Sequence, residues 1–224
     1  MHKISEPSIL YFGTPVILIG SLNENNTYNL APISSVFWLG WRCVIGISAE
    51  SQTTKNIIRN KECVINLPSA AQSENINNLV FTTGRNPVPE GKRKRGYYFE
   101  PSKFEKAGLT PVPGDIVSSP MVSECPVQLE AIVSNIHPLA EEDPEMKGRI
   151  LIIELRIVRI HLEESILMEG DENRVDPDKW RPLIMSFQKF YGFGKEINYS
   201  KLSNIPEALY KTADIEKSRK EKTE

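Results

Sequence analysis

The sequence predicts a mainly β protein, a β-barrel or sandwich of Greek-key type with peripheral helices. Many short apolar runs are bounded by Gly, Pro or Asn, which is typical of strands. Two longer runs, residues 127–133 and 150–160, alternate apolar and polar side chains. Only a few short segments show helical spacing. Many strands with few helices indicate a β architecture.

The first half of the chain predicts four strands and one short helix. Strands are predicted at residues 15–20, 28–35, 42–48 and 62–67. Asn residues at 23–26 indicate a turn between the first two strands. Pro32 has no backbone N–H, so its strand should lie at a sheet edge or be irregular there. A helix is predicted over residues 51–60, with Ser51 as its cap.

The second half begins with a helix predicted from Ser69 to about Thr82. Residues 83–103 are rich in Gly and Pro and predict a long exposed loop. A helical turn is expected at 104–108. Strands follow at 127–133 and 150–160, with a hairpin connection between them. The last predicted elements are a short strand at 165–168 and a polar helix after Pro206.

The length of 224 residues fits one domain that buries a hydrophobic core. We expect this domain to span residues 1–205. Residues 206–224 form a charged helical extension in this prediction, and its last stretch, Glu216–Glu224, should fray.

Charge and hydropathy exclude several partner classes. The formal net charge is -2, from 27 Lys and Arg against 29 Asp and Glu, so no basic field for nucleic acid is expected. No apolar run approaches the roughly 18 residues of a membrane span, and no signal-type segment opens the chain. We therefore expect a cytoplasmic protein with no membrane partner. The three cysteines are odd in number and widely spaced, which argues against a disulfide framework.

The start of the predicted helix at residue 51 has the chemistry of an anion site. Backbone amides at a helix N-terminus lack partners, and the helix dipole favours negative charge there. Hydroxyls of Ser51, Thr53 and Thr54 and the charge of Lys55 suit a phosphate monoester. The alternative, favoured by these residues alone, is that Ser51 only caps its own helix.

The segment Asn29–Ser35 has the chemistry of a ring-binding strand. Ala31 lets a flat ring approach the backbone, and Pro32 leaves nearby amides free for a ligand. Ser34 and Ser35 can donate hydrogen bonds. An edge strand in which Pro blocks aggregation explains the same residues about equally well.

Motifs for conventional catalysis are absent from the sequence. His2, His137 and His161 show no metal-ligand spacing, and there is no Cys-x-x-Cys pair. Nucleophile-elbow, Rossmann and Walker A patterns are also missing. We predict no catalytic side chain and no metal site. The charge run Lys92–Arg95 could attract a phosphate-bearing substrate such as NADPH, but a solvated loop is favoured by about two to one.

The patches named above resemble, in order and spacing, the flavin reductase-like family. The resemblance spans about residues 7–193. It rests on Pro15–Gly20, Asn29-x-Ala31-Pro32-x-Ser34-Ser35, Thr54-x-Asn56-Ile57, Val64–Pro68, Lys103-Phe104 with Gly108-Leu109, Glu124–Val127 with Leu129-Glu130, Asp176-Pro177, Trp180-x-Pro182-Leu183 and Tyr191.

This resemblance implies an FMN-binding split β-barrel and a homodimer with each flavin near the subunit interface. It implies that the isoalloxazine ring lies along Asn29–Ser35 and that residues 48–56 take the ribityl chain and phosphate. The cofactor-binding residues so predicted are Asn29, Ala31, Pro32, Ile33, Ser34, Ser35, Ser48, Ser51, Thr53, Thr54, Lys55 and Asn56.

The implied function is an FMN-binding oxidoreductase of flavin reductase type. It would pass hydride from NADH or NADPH, as a transient co-substrate, through FMN to free flavin or another acceptor. The flavin carries the chemistry, and the protein supplies position and electrostatics. Two alternatives stay open: a non-enzymatic FMN electron carrier that receives electrons from a partner protein, and a β-barrel interaction module without a cofactor.

Overall fold

The structure is a computed structural model that describes residues 1–220. Its strands are β1 (Phe12–Pro15), β2 (Ile17–Leu22), β3 (Tyr28–Ile33), β4 (Val36–Leu39), β5 (Arg42–Ser48), β6 (Glu62–Leu67), β7 (Thr82–Thr83), β8 (Tyr98–Phe99), β9 (Pro111–Val112), β10 (Met121–Val122), β11 (Val127–Pro138), β12 (Ile150–Leu162), β13 (Leu167–Met168), β14 (Asp171–Val175), β15 (Ile184–Ser186) and β16 (Lys189–Tyr191). Its α-helices are α1 (Gln52–Asn60), α2 (Ser73–Asn77), α3 (Glu90–Arg93), α4 (Lys103–Ala107) and α5 (Ala213–Lys220). Short 3-10 turns occur at Ala70–Gln72, Glu164–Ile166, Lys201–Asn204 and Glu207–Tyr210.

The main sheet has seven antiparallel strands in the order β3-β2-β6-β11-β12-β5-β4. The mainly β prediction is confirmed. Within residues 1–220 the edge strands β3 and β4 are not paired with each other, so the sheet does not close into a complete barrel. The two alternating runs form the hairpin of β11 and β12, as predicted, and this long hairpin lies at the centre of the sheet.

Most predicted strands are present with small shifts at their ends. The strands predicted at 42–48 and 62–67 match β5 and β6. The prediction for Pro32 is confirmed, because β3 is an edge strand that pairs only with β2, with Pro32 opposite Leu18. In the seven-stranded main sheet, one strand was not predicted: β4 pairs along β5 and brings the apolar run Val36–Leu39 onto the sheet.

The two larger hydrophobic cores lie on the two faces of the sheet. In β2, Ile17 and Ile19 belong to one core and the intervening Leu18 to the other. This alternation is the period of two that a strand imposes. Each fully buried Ile or Leu side chain contributes about 1.5–3 kcal/mol to folding. The second core also includes side chains of α2 and α4, which holds both helices beside β3.

Helix α1 begins and ends as predicted. The Ser51 side chain accepts a hydrogen bond from the Thr54 amide at 3.0 Å, and Lys61 at the C-cap adopts a left-handed backbone with φ 61°. Its buried Ile57 packs into the first core. The helix therefore presents its first turn at the end of β5, beside β3.

The helix predicted from Ser69 to Thr82 is wrong in extent. A 3-10 turn at Ala70–Gln72 leads into α2, and the helix stops at Asn77. Phe81 has φ 66°, outside the helical region, and β7 follows directly. Chain reversal at Phe81 turns the following residues back toward α1.

The predicted exposed loop at 83–103 is partly ordered. β8 pairs in parallel with β7, and α3 lies between them in sequence. Most side chains of the charge run Lys92–Arg95 are exposed, but Lys92 is half-buried. Lys103, at the end of the predicted loop, is buried. We call residues 79–103 the cover segment, because they form one wall of the cavity described below.

The C-terminal helix α5 lies against β5 and β12. Arg42 makes two hydrogen bonds to the Asp214 carboxylate, at 2.8 and 3.0 Å, and Ser218 Oγ donates to the Ile157 carbonyl at 3.0 Å.

The domain boundary at residue 205 stays a prediction. Fraying was predicted for Glu216–Glu224; residues 216–220 are instead helical in α5, and residues 221–224 lie outside the described part of the chain. Among residues 1–220, none of the helices combines the length and apolar character needed to cross a membrane.

Candidate functional site

A cavity of about 370 Å³ lies between β3, the first turn of α1 and the cover segment. Its volume falls within the range of about 300–1,000 Å³ common for small-molecule sites. Among the predicted cofactor-binding residues, those lining this cavity are Ala31, Pro32, Ile33, Ser34, Ser35, Ser48, Ser51 and Thr53. The structure thus brings the two predicted ligand segments, from β3 and from the start of α1, to one site.

One end of the cavity is the edge of the main sheet. Ala31, Pro32 and Ile33 line it, with Leu79 and Val80 of the cover segment among the other apolar lining residues. Because β3 has a strand partner on one side only, its other row of backbone groups is free of sheet pairing. An apolar wall with free backbone polar groups suits a flat aromatic ring that has polar edges.

The loop between β3 and β4 is held by two contacts. Ser35 Oγ lies 2.6 Å from the Tyr11 hydroxyl, which also lines the cavity. The Ser35 carbonyl accepts from the Gly46 amide at 2.9 Å. These contacts fix the turn that carries Ser34 and Ser35 at the cavity wall.

Two of the predicted phosphate donors are occupied inside the protein. Thr54 is fully buried, and its hydroxyl donates to the Ser48 carbonyl at 2.7 Å. Since that proton is used, the 2.8 Å contact between Ser51 and Thr54 hydroxyls is donated by Ser51. Neither hydroxyl retains a proton for a ligand. Thr54 supports the cap of α1 and does not line the cavity.

Asn29, Lys55 and Asn56 also lie away from the cavity wall. Asn56 is fully buried and donates to Ser21 Oγ at 3.1 Å and Asn23 Oδ1 at 2.8 Å. Asn29 donates to Ser21 and to Thr53 Oγ1 at 3.0 Å. These amides tie β2, β3 and α1 together, while Lys55 is exposed on another groove.

The first turn of α1 still offers two backbone donors. Within the described residues the amides of Gln52 and Thr53 donate no hydrogen bond, and both residues line the cavity. Free amides and the helix dipole favour an anion at this position.

A buried lysine that is not among the predicted cofactor-binding residues lines the same cavity. Lys103 is only 5% exposed, and its ammonium has no hydrogen-bond or ion-pair partner among residues 1–220. Burial, with a smaller contribution from nearby Lys92, lowers its pKa to about 8, against the opposing effect of Glu100. The sequence signal was its place in α4, one position before Phe104 and four before Ala107, on the face that packs into the second core.

Lys92 provides the second positive charge. Its Nζ lies 3.4 Å from Thr83 Oγ1 and 5.5 Å from the centre of the Tyr97 ring. Burial, then the charges of Arg95 and Arg85, lower its pKa. Among residues 1–220, no Asp or Glu lines the cavity. The site is therefore a positively charged pocket with an apolar wall.

A second cavity of about 480 Å³ shares Gln52 and Gly84 with the first. Glu24 and Glu100 line it, so it is poorly suited to a phosphate. A Cβ at Gly84 would lie 2.7 Å from Asn29 Oδ1, which explains why glycine allows the cover segment to approach α1 closely.

A cluster of Asp115, Glu130 and His161 lies elsewhere on the sheet. Glu130 accepts from the amides of Ile116 and Val117 at 2.6 and 2.9 Å, and lies 2.8 Å from His161 Nε2. Burial alone would raise the pKa of Glu130, but these hydrogen bonds outweigh it and lower that pKa. Its contacts connect β11 and β12 to the loop after β9.

All three cysteines are free and buried. Burial raises the pKa of the Cys43 thiol to about 12 and those of Cys63 and Cys125 further. These thiols are neutral packing groups, as buried cysteines usually are.

The family model for the flavin reductase like domain matches residues 9–194. The chain belongs to this family. A relative in Bacillus subtilis (strain 168), "Uncharacterized protein YdfE", is 38% identical over 195 residues, which cover 87% of this chain and 91% of the relative. The resemblance noted from the sequence motifs is confirmed.

Solved structures of similar fold include two named proteins. Flavoredoxin of Desulfovibrio vulgaris (Miyazaki F) has a TM-score of 0.72 at 20% identity, covering 92% of this chain and 100% of that one. Nitrilotriacetate monooxygenase component B from Bacillus cereus has a TM-score of 0.66 at 20% identity, covering 86% and 89%. This flavin reductase-like chain thus has the fold of the split-barrel flavin proteins, and its family indicates flavin-related oxidoreductase chemistry.

Proposed function

We propose that this flavin reductase-like protein binds FMN and passes hydride from NADH or NADPH through it to free flavin or another acceptor. The observation that carries the proposal is the cavity between β3 and α1. It joins an apolar strand edge to two lysines and a helix N-terminus, and its described lining contains no carboxylate.

Two parts of the cavity lining suit the two ends of FMN. The wall formed by Ala31, Pro32 and Ile33 suits the isoalloxazine ring. The free amides of Gln52 and Thr53 and the ammonium of Lys103 suit the phosphate dianion. The unpartnered buried charge of Lys103 is the residue-level sign that an anion belongs here.

When bound, the flavin supplies the hydride chemistry. The chain supplies binding, orientation and exclusion of water. The side chain of Ala31 is only a methyl group, so a flat ring can lie against the backbone of β3. Tyr11, hydrogen-bonded to Ser35, positions an aromatic side chain at the wall. The exposed Arg93, Lys94 and Arg95 near Lys92 supply positive charge that favours a phosphorylated nicotinamide donor.

The second candidate is an FMN electron carrier that receives electrons from a protein partner. The similarity to a structure named flavoredoxin favours it. One experiment separates the candidates: the protein is loaded with FMN, desalted, and titrated without oxygen, first with NADH and then with NADPH. Flavin absorption that bleaches with nicotinamide alone supports the reductase. Retained absorption that does not bleach supports the carrier. If no flavin remains after desalting and a titration with FMN detects no binding, the cofactor-free module is supported.

A variant pair tests whether this cavity is responsible. Ala31→Phe should fill the wall and abolish flavin retention, because an added ring occupies the space over β3. Ala71→Phe adds the same ring at an exposed position outside the cavity and should retain flavin. Equal flavin retention by both variants would place the flavin elsewhere.

The homodimer is proposed on the resemblance and on exposed apolar side chains. Phe12 and Leu39 are 73% and 72% exposed, and Phe12 packs edge-on against the exposed Phe187. Large exposed apolar groups are common at interfaces between subunits. Light scattering after gel filtration tests the dimer. The cytoplasmic location stays a prediction.

A further inference from the structure

The second cavity, of about 480 Å³, lies beside the cavity assigned to flavin and is built from different residues. Its walls are the turn between β2 and β3, the start of α1 and the cover segment. The two cavities share only Gln52 and Gly84. Amide side chains are frequent in its lining, which also contains two carboxylates, Glu24 and Glu100, and one aromatic ring, Phe99. The second cavity therefore suits a different class of ligand.

The charge on the wall of this cavity is negative. Glu24 is exposed and Glu100 is half-buried, and neither carboxylate forms an ion pair among residues 1–220. One Glu100 oxygen accepts a hydrogen bond from the Ser102 amide at 2.9 Å, which leaves the other oxygen free. Within the described part of the chain, no Lys, Arg or His lines the cavity. Two carboxylates without a cation at one cavity favour a positively charged ligand.

A buried oxygen atom at this cavity has no donor. Asn29 is only 2% exposed, and its amide nitrogen donates to the hydroxyls of Ser21 and Thr53. Its Oδ1 accepts no hydrogen bond within residues 1–220, and a Cβ at Gly84 would lie 2.7 Å from this oxygen. Because Asn29 and Gly84 both line the cavity, Oδ1 lies at its surface. A buried acceptor without a donor is unfavourable, so this oxygen points to a ligand that brings an N–H or O–H group.

The half-buried amide side chains of the lining leave further acceptors. Gln52 Nε2 donates to Asn56 Oδ1 at 2.9 Å, whereas Gln52 Oε1 has no partner among the described residues. Asn23 donates to Thr27 Oγ1 at 3.0 Å and accepts from Asn56 at 2.8 Å, so both ends of this amide are used. Phe99 is 39% exposed and adds an aromatic ring, which attracts ammonium and guanidinium groups.

We propose that the second cavity binds a small organic cation with N–H donors, an amine or a guanidinium compound, beside the flavin site. Glu24 and Glu100 balance its charge, and Asn29 Oδ1 accepts one of its hydrogen bonds. A metal ion fits less well, because the described residues bring three metal-type ligands together only elsewhere on the sheet. This inference goes beyond the proposed flavin function and does not depend on it.

Isothermal titration calorimetry on the full chain, without added flavin, tests this site. The probes are putrescine, with two ammonium groups, and agmatine, with one ammonium and one guanidinium group. A third probe, 1,4-butanediol, has hydroxyls in place of both ammonium groups of putrescine. We expect saturable binding of the cations and no binding of the diol at the same concentrations. Glu100→Gln should weaken cation binding by about tenfold, as loss of a charge-assisted hydrogen bond does. Glu24→Gln, at an exposed position, should weaken it by about threefold.

The matched control is Glu105→Gln, which changes an exposed glutamate outside the cavity lining and should bind as wild type does within about twofold. Should Glu100→Gln fail to fold by circular dichroism, Glu24→Gln on the turn keeps the test available. Wild type that binds neither cation would overturn the proposal. Equal binding of the diol would overturn it too, because the cavity would then recognise hydroxyls instead of charge. Cation binding that neither cavity variant weakens would place the cation elsewhere and so refute the site. Since no flavin is present, none of these outcomes bears on the proposed flavin function.

Discussion

Lys103 should make the flavin-free protein less stable than a variant without this charge. Its side chain is buried beside the cavity, and its ammonium is unpaired within the described residues. Replacing it by Met keeps a long, flexible side chain and removes the charge. We therefore expect Lys103→Met to raise the free energy of unfolding when no flavin is present.

The magnitude follows from the pKa. Burial, followed by the charge of Lys92, lowers the pKa of Lys103 from 10.5 to about 8. Since one pKa unit corresponds to about 1.36 kcal/mol, the charged form is about 3 kcal/mol less favourable in the folded protein than in the unfolded chain. That value is the expected upper limit of the stabilisation in Lys103→Met at neutral pH.

The direction of this pKa shift determines how wild-type stability should change with pH. Between pH 8 and 10.5 the unfolded chain binds more protons at this lysine than the folded protein does. Wild-type stability should therefore rise with pH across this window, relative to the variant. The advantage of Lys103→Met should be complete below about pH 8 and should disappear above about pH 10.5.

Urea unfolding of flavin-free wild type, Lys103→Met and Lys106→Met at several pH values measures this directly. Lys106 is an exposed lysine on the same helix, so its replacement should change stability by less than about 0.5 kcal/mol. A Lys103→Met protein less stable than wild type at pH 7 would refute the reasoning. An advantage that does not change with pH would do so too.

Three further predictions concern the surroundings of the cavity. Thr54→Val should lower the free energy of unfolding by about 1–3 kcal/mol without flavin, because the Ser48 carbonyl loses its donor; unchanged urea midpoints would contradict this. Gly84→Ala should weaken FMN affinity by about tenfold in a fluorescence titration, because its Cβ would lie 2.7 Å from Asn29 Oδ1 and displace the cover segment. An unaltered Kd would show that the segment adapts. Hydrogen bonds hold the pKa of Glu130 below 4.5 against the effect of burial, so wild-type stability should be lost as pH falls below 4.5. Acid unfolding curves of Glu130→Gln should show a shallower loss of stability. Parallel curves for wild type and variant would exclude a stabilising role of the Glu130 carboxylate.

Local patterns predicted the elements whose structure depends on local chemistry. The β-branched, bounded runs of β5 and β6 form strands, and the Ser51 cap begins α1 where expected. Pro32 predicted an edge strand because the missing N–H is a property of the residue itself. The same local logic gave a ring-binding strand as one of two interpretations of Asn29–Ser35, and the structure places Ala31–Ser35 of this segment, but not Asn29, along the cavity.

Properties set by distant partners could not be predicted in this way. Thr54 and Asn56 have the right chemistry for a phosphate, but their protons are used by Ser48, Ser21 and Asn23. Which partner a polar side chain takes depends on how β2, β3 and α1 pack, which no local pattern records.

The burial of Lys103 is the clearest example. A lysine in a short polar helix is exposed in most proteins. Here α4 packs beside β3, a strand about 70 residues earlier, and turns this one lysine toward the cavity. The helix predicted through Thr82 failed for a related reason, since Phe81 reverses the chain so that β7 can pair with β8.

The most direct test of the central claim is a crystal structure of the protein grown with FMN. We expect the isoalloxazine ring against Ala31, Pro32 and Ile33, and the phosphate between the first turn of α1 and the ammonium groups of Lys92 and Lys103. Flavin at any other surface, or crystals with an empty cavity despite saturating FMN, would contradict the assignment of this cavity as the flavin site.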